Sequence, residues 1–244
     1  MTQPSRDSKL SGTNPSDAKL SWDEDEVPVS TRFADRYYAA DGLAEARHVF
    51  LAGNGLPAAW AGRDEFRIAE LGFGTGLNVL AARALWRETS APGATLHFTS
   101  FEAYPLSRAQ IARALARWPE LDALAAELLG VWTEAGGRFD FGDTRLELIV
   151  GDARDTLPRW SGRADAWFLD GFAPARNPEM WEPALMRAVH DHTVPGGSFA
   201  TYSAAGLVRR ELTAAGFTVT KRPGFPPKRE MTVGARYCPR CQTR

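Results

Sequence analysis

The 244-residue sequence has only two cysteines and no long apolar run, and both absences narrow the class of protein. Cys238 and Cys241 stand close together near the C-terminus, so no disulfide framework is indicated. A C-x-x-C pair offers two ligands where a structural zinc needs four, and we therefore expect no metal site. No segment approaches the roughly 18 apolar residues of a membrane helix, and residues 1–18 lack the apolar centre of a signal peptide. These absences favour a cytoplasmic protein with no membrane partner.

The sequence also lacks a strong overall charge, but its net charge of −1 conceals an asymmetry. Residues 201–244 contain nine Lys or Arg and two Glu, a balance of +7, so residues 1–200 carry −8. A basic C-terminal region on a nearly neutral protein indicates a local surface for a polyanion. The alternative is a solvated helix face followed by a basic tail.

Composition divides the chain into four parts. Residues 1–19 are rich in Ser, Asp, Thr, Pro and Asn, which predicts a disordered tail. Residues 20–60 contain aromatic and apolar side chains, so we expect an ordered N-terminal extension that packs on the main domain. Residues 61–237 form the predicted main domain, and residues 238–244 form a basic tail.

Strand and helix patterns alternate through the main domain. Strands are predicted at 67–71, 96–101, 138–141, 145–150, 164–169, 198–202, 217–221 and 231–236, and helices at 77–87, 107–117, 121–129, 179–190 and 207–215. Gly142 and Asp143 separate the third strand from the fourth, which is typical of a hairpin. The alternation predicts an α/β fold, with a mostly parallel sheet and helices on both faces.

The segment 70–78, ELGFGTGLN, joins the first predicted strand of this domain to its first helix. Gly72, Gly74 and Gly76 alternate along it, and glycine tolerates positive φ and lets a ligand approach the backbone. The dinucleotide fingerprint differs, since it reads G-x-G-x-x-G and has its acidic residue about 20 positions later. The shorter spacing, with an acid two positions before the first glycine, favours S-adenosylmethionine, a cationic ligand without a pyrophosphate. Glu70 and the loop amides are then expected to face its methionine part.

Four carboxylates lie at the ends of predicted strands: Glu70, Glu102, Asp152 and Asp170. Ligands of open α/β sheets bind at the carboxyl ends of the strands. At such ends, Glu102 is suited to accept hydrogen bonds from both ribose hydroxyls. Asp152 is suited to accept one from the adenine amino group, and Asp170 lies where the transferred methyl group would point. Any one strand-end acid is more often a helix cap or a turn residue, but four beside a glycine loop indicate a binding site.

Four segments together resemble one known family. They are the glycine loop at 70–78, the segment 101–106 (FEAYPL), the segment 170–181 (DGFAPARNPEMW) and the segment 228–231 (KREM). With Leu20-Ser21-Trp22 and Pro28-Val29-Ser30, they resemble the methyltransferase domain of the MnmC family of bacterial tRNA-modifying enzymes. The resemblance covers roughly residues 20–236.

The resemblance implies a Rossmann-like class I methyltransferase fold, with a seven-stranded sheet whose last strand is antiparallel. It implies S-adenosylmethionine as methyl donor and the primary amine of 5-aminomethyl-2-thiouridine, at the wobble position of tRNA, as acceptor. In many bacteria an FAD-dependent oxidase domain is fused to this domain. We expect a stand-alone form here, with a separate oxidase acting upstream. The cofactor-binding residues are expected to be Glu70, Gly72, Phe73, Gly74, Thr75, Gly76, Asn78, Glu102, Asp152 and Asp170.

Asp170 is the expected catalytic residue. It could orient the acceptor amine and accept a proton from it. The loop after it would shape a dry slot, unless Phe172-Ala173-Pro174 is simply a packed turn. The wobble base must leave its stack, and Trp181, Tyr202 and Phe225 are candidate platforms for it or else core residues. The substrate-binding residues are expected to be Phe172, Pro174, Arg176, Asn177, Trp181, Lys221, Arg222, Lys228 and Arg229, with the last four contacting phosphates.

Three alternatives stay open at this stage. The first is a nicotinamide-dependent oxidoreductase, and the glycine spacing argues against it. The second is a methyltransferase for another RNA, a protein or a small-molecule amine, and the basic C-terminal region argues against it. The third is a non-catalytic RNA-binding module, and the complete set of strand-end acids argues against it.

Overall fold

A computed structural model describes residues 19–239, and the extension before the main domain forms a small sheet and a short helix. Strands β1 (Leu20–Trp22), β2 (Pro28–Ser30) and β3 (Asp35–Arg36) pair antiparallel in that order. Helix α1 (Gly42–Ala46) continues into a π-helical segment, Arg47–Ala52. The predicted tails 1–19 and 238–244 lie outside the described residues, apart from residues 19, 238 and 239.

The main domain alternates strands with helices, as predicted. Its strands are β4 (Glu65–Leu71), β5 (Thr95–Glu102), β6 (Gly137–Asp140), β7 (Thr144–Val150), β8 (Ala164–Leu169), β9 (Thr193–Thr201), β10 (Phe217–Pro223) and β11 (Glu230–Arg236). Its helices are α2 (Leu77–Thr89), α3 (Arg108–Leu115), α4 (Asp122–Val131), α5 (Ala153–Thr156), α6 (Pro183–Asp191) and α7 (Gly206–Ala215).

These strands form one sheet in the order β10-β11-β9-β8-β4-β5-β7-β6. Neighbours from β9 to β7 pair parallel, whereas β11 is antiparallel to both β9 and β10. The α/β class and the antiparallel last strand are therefore confirmed. The sheet contains the eight strands that the sequence pattern predicts, one more than the resemblance implies, because β6 folds back on β7 in the predicted hairpin and adds an edge strand.

Two hydrophobic clusters cover the two faces of the sheet. Successive side chains of a strand point to opposite faces, and so Ile68 belongs to one cluster whereas Ala69 belongs to the other. Helix α2 and apolar residues of the extension, including Val49 and Phe50, pack on the first face. Helices α6 and α7 pack on the second. Between residues 19 and 239, no helix is both long and apolar enough to cross a membrane.

The helix predicted at 179–190 is broken in two. A 3-10 turn covers Pro178–Trp181, and α6 begins only at Pro183. The reason is local: the residue before a proline is disfavoured in helical geometry, and Glu182 is extended, with φ −65° and ψ 147°. The turn carries Trp181 into the second cluster, where its side chain is 2 % exposed. The expectation that Trp181 contacts a base is therefore wrong.

Candidate active site

A cavity of about 570 Å³ opens at the carboxyl ends of β4, β5 and β8, on the edge where ligands of such sheets bind. One side is formed by the glycine loop and the strand ends. The other side is formed by the N-terminal extension and by the loop between β10 and β11. The residues on the first side are Gly72, Phe73, Gly74, Thr75, Asn78, Glu102, Tyr104, Asp170, Gly171 and Phe172; those on the second include Phe33, Asp35, Tyr37, Glu45 and Lys228.

The glycine loop has the backbone that its sequence predicts. Gly72, Gly74 and Gly76 adopt φ of 90°, 55° and 79°, which side chains disfavour. A Cβ at position 72 would lie 2.8 Å from the carbonyl oxygen of Asp170, so this glycine also allows two strand ends to approach. Gly76 does not line the cavity; it directs the chain into α2.

Glu102 holds the glycine loop against the end of β5. Its carboxylate accepts a hydrogen bond from the Gly74 amide at 3.0 Å and one from the Tyr104 amide at 2.7 Å. Burial raises the pKa of Glu102, although these backbone donors oppose the shift. The carboxylate also lines the cavity, where it can act as a hydrogen-bond acceptor for ligand hydroxyls.

Glu70 lies beneath the cavity and reaches it only through Asn78. Its side chain is 0 % exposed and is absent from the cavity wall, contrary to the expectation that it faces the ligand. It accepts hydrogen bonds from Ser100 Oγ at 2.6 Å and from Asn78 Nδ2 at 2.9 Å. The same Asn78 nitrogen donates to Asp170 Oδ2 at 2.7 Å. Burial raises the pKa of Glu70 well above its usual value.

Asp170 follows the last residue of β8 and lines the cavity. Burial raises its pKa from the ordinary 3.8 to about 7, against the opposing effect of the hydrogen bond from Asn78. A carboxyl group with such a pKa exchanges protons near neutral pH, which suits a general base. Tyr202 fixes the next residue, since its hydroxyl donates to the Gly171 carbonyl oxygen at 2.5 Å.

An aromatic wall stands beside Asp170. Phe172 stacks on Phe33 with ring centroids 4.7 Å apart and meets the ring of Tyr37 edge-on at 5.2 Å. The backbone amide of Ala173 donates to Asp35 Oδ2 at 2.8 Å, which ties the loop after β8 to the extension. Sequence reasoning selected Phe172 but missed Phe33, Asp35 and Tyr37. No local signal distinguishes them from other residues of the extension.

Lys228 is partly exposed and also lines the cavity, so its predicted contact with a phosphate stays a prediction. Its ammonium donates to Glu45 Oε1 at 2.7 Å and lies 3.9 Å from the centroid of the Tyr202 ring. Tyr202 also lines the cavity. The platform candidate Phe225 packs partly buried against the first cluster.

The other predicted cations lie on the surface. Lys221 donates to Glu230 Oε2 at 2.7 Å. Arg222 and Arg229 are exposed at the ends of the β10–β11 loop, without an ion pair to any residue of the described chain. Arg176 is exposed on the loop that follows β8.

The remaining predicted residues are not brought to the cavity wall. Asp152 follows β7 as predicted, but its carboxylate caps α5 and pairs with Arg154 at 2.6 Å. That hydrogen-bonded pair lowers the pKa of Asp152. Pro174 is half-buried and Asn177 is buried within the loop. In the stretch that the structure describes, no group of three or more His, Cys, Asp or Glu side chains could hold a metal ion.

Comparisons with known proteins agree with this geometry. The sequence model of a family described as S-adenosyl-L-methionine-dependent methyltransferase matches residues 119–237. The bifunctional tRNA 5-methylaminomethyl-2-thiouridine biosynthesis protein MnmC of Caulobacter sp. (strain K31) is 49 % identical over 229 residues, which are 89 % of this chain and 38 % of that protein. The MnmC protein of Aromatoleum aromaticum is 48 % identical over 223 residues, 89 % of this chain and 35 % of that protein.

A solved structure shows the same fold. The crystal structure of MNMC2 from Aquifex aeolicus has a TM-score of 0.70 at 23 % identity, and the likeness covers 93 % of this chain and 73 % of that one.

The fold and the glycine loop are those of the class I methyltransferase fold, and the matching family model is that of S-adenosyl-L-methionine-dependent methyltransferases. Within that class, the chain is a homologue of the methyltransferase region of the MnmC proteins. It spans little more than a third of the length of the MnmC proteins that it matches.

Proposed function

We propose that this chain methylates the primary amine of 5-aminomethyl-2-thiouridine at the wobble position of tRNA and forms 5-methylaminomethyl-2-thiouridine. The observation that carries the proposal is Asp170, which lines the cavity with a pKa near neutrality, next to an aromatic wall. The relatives support the choice of acceptor, because they are named for the biosynthesis of this nucleoside and are about half identical to the chain. A tRNA substrate also supports the predicted cytoplasmic location.

The cavity has groups suited to S-adenosylmethionine. Gly74 lines it without a side chain, so a ligand can approach the loop backbone there, and the Glu102 carboxylate lines it as an acceptor suited to ribose hydroxyls. Phe73, Thr75 and Asn78 line the same region. The bound cofactor would supply an electrophilic methyl group on a sulfonium. The predicted contact of Asp152 with adenine stays a proposal, and it requires Asp152 to exchange its bond with Arg154.

The residues around Asp170 are suited to amine methylation. An amine attacks only when it is unprotonated, and simple amines are mostly protonated near neutral pH. The methyl group would pass to the nitrogen, and the sulfur would keep the electron pair of the broken carbon–sulfur bond. The proton lost by the nitrogen passes to the Asp170 carboxylate. The chain therefore contributes alignment and a proton acceptor, and alignment alone can supply several kcal/mol.

The aromatic wall is suited to an extruded base. Enzymes that modify bases hold them out of the stack between aromatic or apolar side chains. Phe172 and Phe33 offer such a surface beside Asp170. A different RNA, a protein or a small-molecule amine is the alternative acceptor. The acceptor amine would come from an FAD-dependent oxidase that acts upstream, whether on this chain or on another.

Mass spectrometry of wobble nucleosides tests the proposal. Purified protein is incubated with S-adenosylmethionine and with tRNA from a strain that lacks the gene. The aminomethyl nucleoside should disappear, and a nucleoside heavier by one methyl group should take its place. Methylation of a free amine with no change in the tRNA would overturn the proposed acceptor.

The tRNA backbone is expected to contact Arg222 and Arg229. Each phosphate contact releases counterions, so removing both arginines should weaken tRNA binding and reduce the slope of log affinity against log salt by up to about two units. The measurement is a salt titration of tRNA binding by the Arg222→Ala/Arg229→Ala variant. Binding of S-adenosylmethionine should stay unchanged, because neither side chain lines the cavity.

A matched control removes two arginines from the opposite edge of the sheet. Arg138 and Arg145 belong to β6 and β7 and have side chains that are 85 % and 61 % exposed. Their double alanine variant should keep the wild-type salt slope. An equal loss in both variants would indicate a general effect of charge, and the proposed tRNA surface would then be wrong.

A further inference from the structure

The ion pair between Glu45 and Lys228 connects two segments that are remote in sequence, across the cavity from the strand ends. Glu45 belongs to α1 of the extension, and Lys228 to the loop between β10 and β11. Both side chains line the same cavity as Asp170. The Lys228 ammonium is 2.7 Å from Glu45 Oε1, and the backbone amide of Ala39 donates to Glu45 Oε2 at 3.3 Å. Glu45 therefore has a fixed orientation.

Lys228 is also fixed. Its ammonium lies over the face of Tyr202, 3.9 Å from the ring centroid, where the ring attracts a cation. Tyr202 in turn donates its hydroxyl hydrogen to the Gly171 carbonyl oxygen, one residue after Asp170. The two charges of the pair thus occupy defined positions beside the carboxylate that the mechanism uses.

We propose that the Glu45–Lys228 pair is a positioning pair that sets the protonation of Asp170 and of the acceptor amine. The inference rests on the proposed function of Asp170 as proton acceptor. Paired, the two side chains have almost no net charge, so Asp170 keeps its own proton equilibrium. Unpaired, Glu45 would favour the protonated forms of Asp170 and of the amine, and unpaired Lys228 would favour the deprotonated forms.

The surrounding charges agree with this direction. Glu45 raises the pKa of Asp170 and Lys228 lowers it. The other acidic side chains of the cavity wall are Asp35 of β3 and Glu102 of β5, and neither forms an ion pair with Lys228. Glu70 lies beneath the wall, and the titratable hydroxyls that line it are those of Tyr37, Tyr38, Tyr104 and Tyr202. Lys19, Arg32 and Arg36 line the cavity as well.

Charge-removing variants of the two partners should have opposite effects. Glu45→Gln leaves Lys228 uncompensated, and the acidic limb of the pH–rate profile should move to lower pH by roughly half to one unit. Lys228→Met leaves Glu45 uncompensated, and the same limb should move to higher pH by a similar amount. The double variant should return close to the wild-type profile, since both charges are gone. Lys228→Arg should retain the wild-type position of the limb.

A readout that does not need tRNA separates this inference from the proposed function. The ¹³C signal of the Asp170 carboxyl, assigned by its loss in Asp170→Asn, is titrated in the wild type and in each variant. The midpoint should move down in Glu45→Gln and up in Lys228→Met. If the wild type fails to methylate tRNA while these midpoints move apart, only the proposed function fails.

Shifts in one common direction, or midpoints that stay at the wild-type value, would overturn the role of the pair. Loss of packing cannot produce opposite shifts from the two halves of one contact. Glu45→Gln keeps the shape of the side chain, so it remains informative if Lys228→Met does not fold.

Discussion

Asp170→Asn is expected to lower the rate of methyl transfer by about 100-fold or more, in line with the loss of a positioned acid–base group. Asparagine fills the same space but cannot accept the proton that the amine releases. Binding of S-adenosylmethionine should change far less than the rate. The measurement is a single-turnover assay on tRNA at saturating cofactor.

The stability of this variant provides its control. The folded-state pKa of Asp170, about 7, lies above its ordinary value of 3.8, so the wild-type protein loses stability as pH rises between these values. The asparagine variant has no such titration. It should therefore be at least as stable as wild type near neutral pH in thermal unfolding. A folded variant that turns over at nearly the wild-type rate would exclude Asp170 as the proton acceptor.

Glu102→Gln is expected to weaken the binding of S-adenosylmethionine by roughly 10- to 100-fold. Hydrogen bonds to a charged group contribute about 1.5–3 kcal/mol, and each 1.4 kcal/mol corresponds to a factor of about ten in affinity. Gln is preferable to Ala here, because it keeps one of the two oxygens that accept from the amides of Gly74 and Tyr104, whereas truncation removes both. Isothermal titration calorimetry measures the effect.

Glu147→Gln is the matched control for this experiment. The substitution removes the same negative charge from the neighbouring strand β7. Glu147 pairs with Arg138 outside the cavity. Its variant should bind the cofactor with wild-type affinity. If both variants bind as tightly as wild type, Glu102 does not hold the ribose.

The glycine loop and the strand-end acids could be predicted because their signals are local. A strand is recognised by its apolar run, a helix by its period, and the turn between them by glycine, all within a few residues. Because the strands pair parallel, Glu102 and Asp170 both lie at the carboxyl ends of the strands, on the same side of the sheet. The same local signals explain the left-handed backbone of Gly76, at the start of α2, and of Gly216, at the end of α7.

The other side of the cavity could not be predicted, because its contacts join segments far apart in sequence. Asp35 bonds to a residue 138 positions away, and Glu45 pairs with a lysine 183 positions away. Neither residue has a distinctive neighbour in the sequence. The basic Gly/Pro-rich loop predicts a cation at position 228, but only the fold shows that the buried acid Glu45 faces it.

Asp152 and Trp181 show where a local signal has two interpretations. An acid after a strand caps a helix as readily as it binds a ligand, and Asp152 caps α5. A tryptophan next to a functional loop packs in a core as readily as it stacks on a base. In each case the local sequence is compatible with both roles, and tertiary packing decides what the side chain does.

The bridging position of Asn78 restricts which amino acids position 78 can accept. One amide nitrogen carries two hydrogens, and here each is directed to a different carboxylate, at 2.9 Å for Glu70 and 2.7 Å for Asp170. Aspartate has the same shape but no hydrogen to donate, while serine and threonine have one. Glutamine has both hydrogens but needs room for another methylene group in a nearly buried site. A saturation library selected for activity at this codon should therefore return asparagine almost alone, whereas the exposed position of Glu88, near the end of α2, should accept many residues.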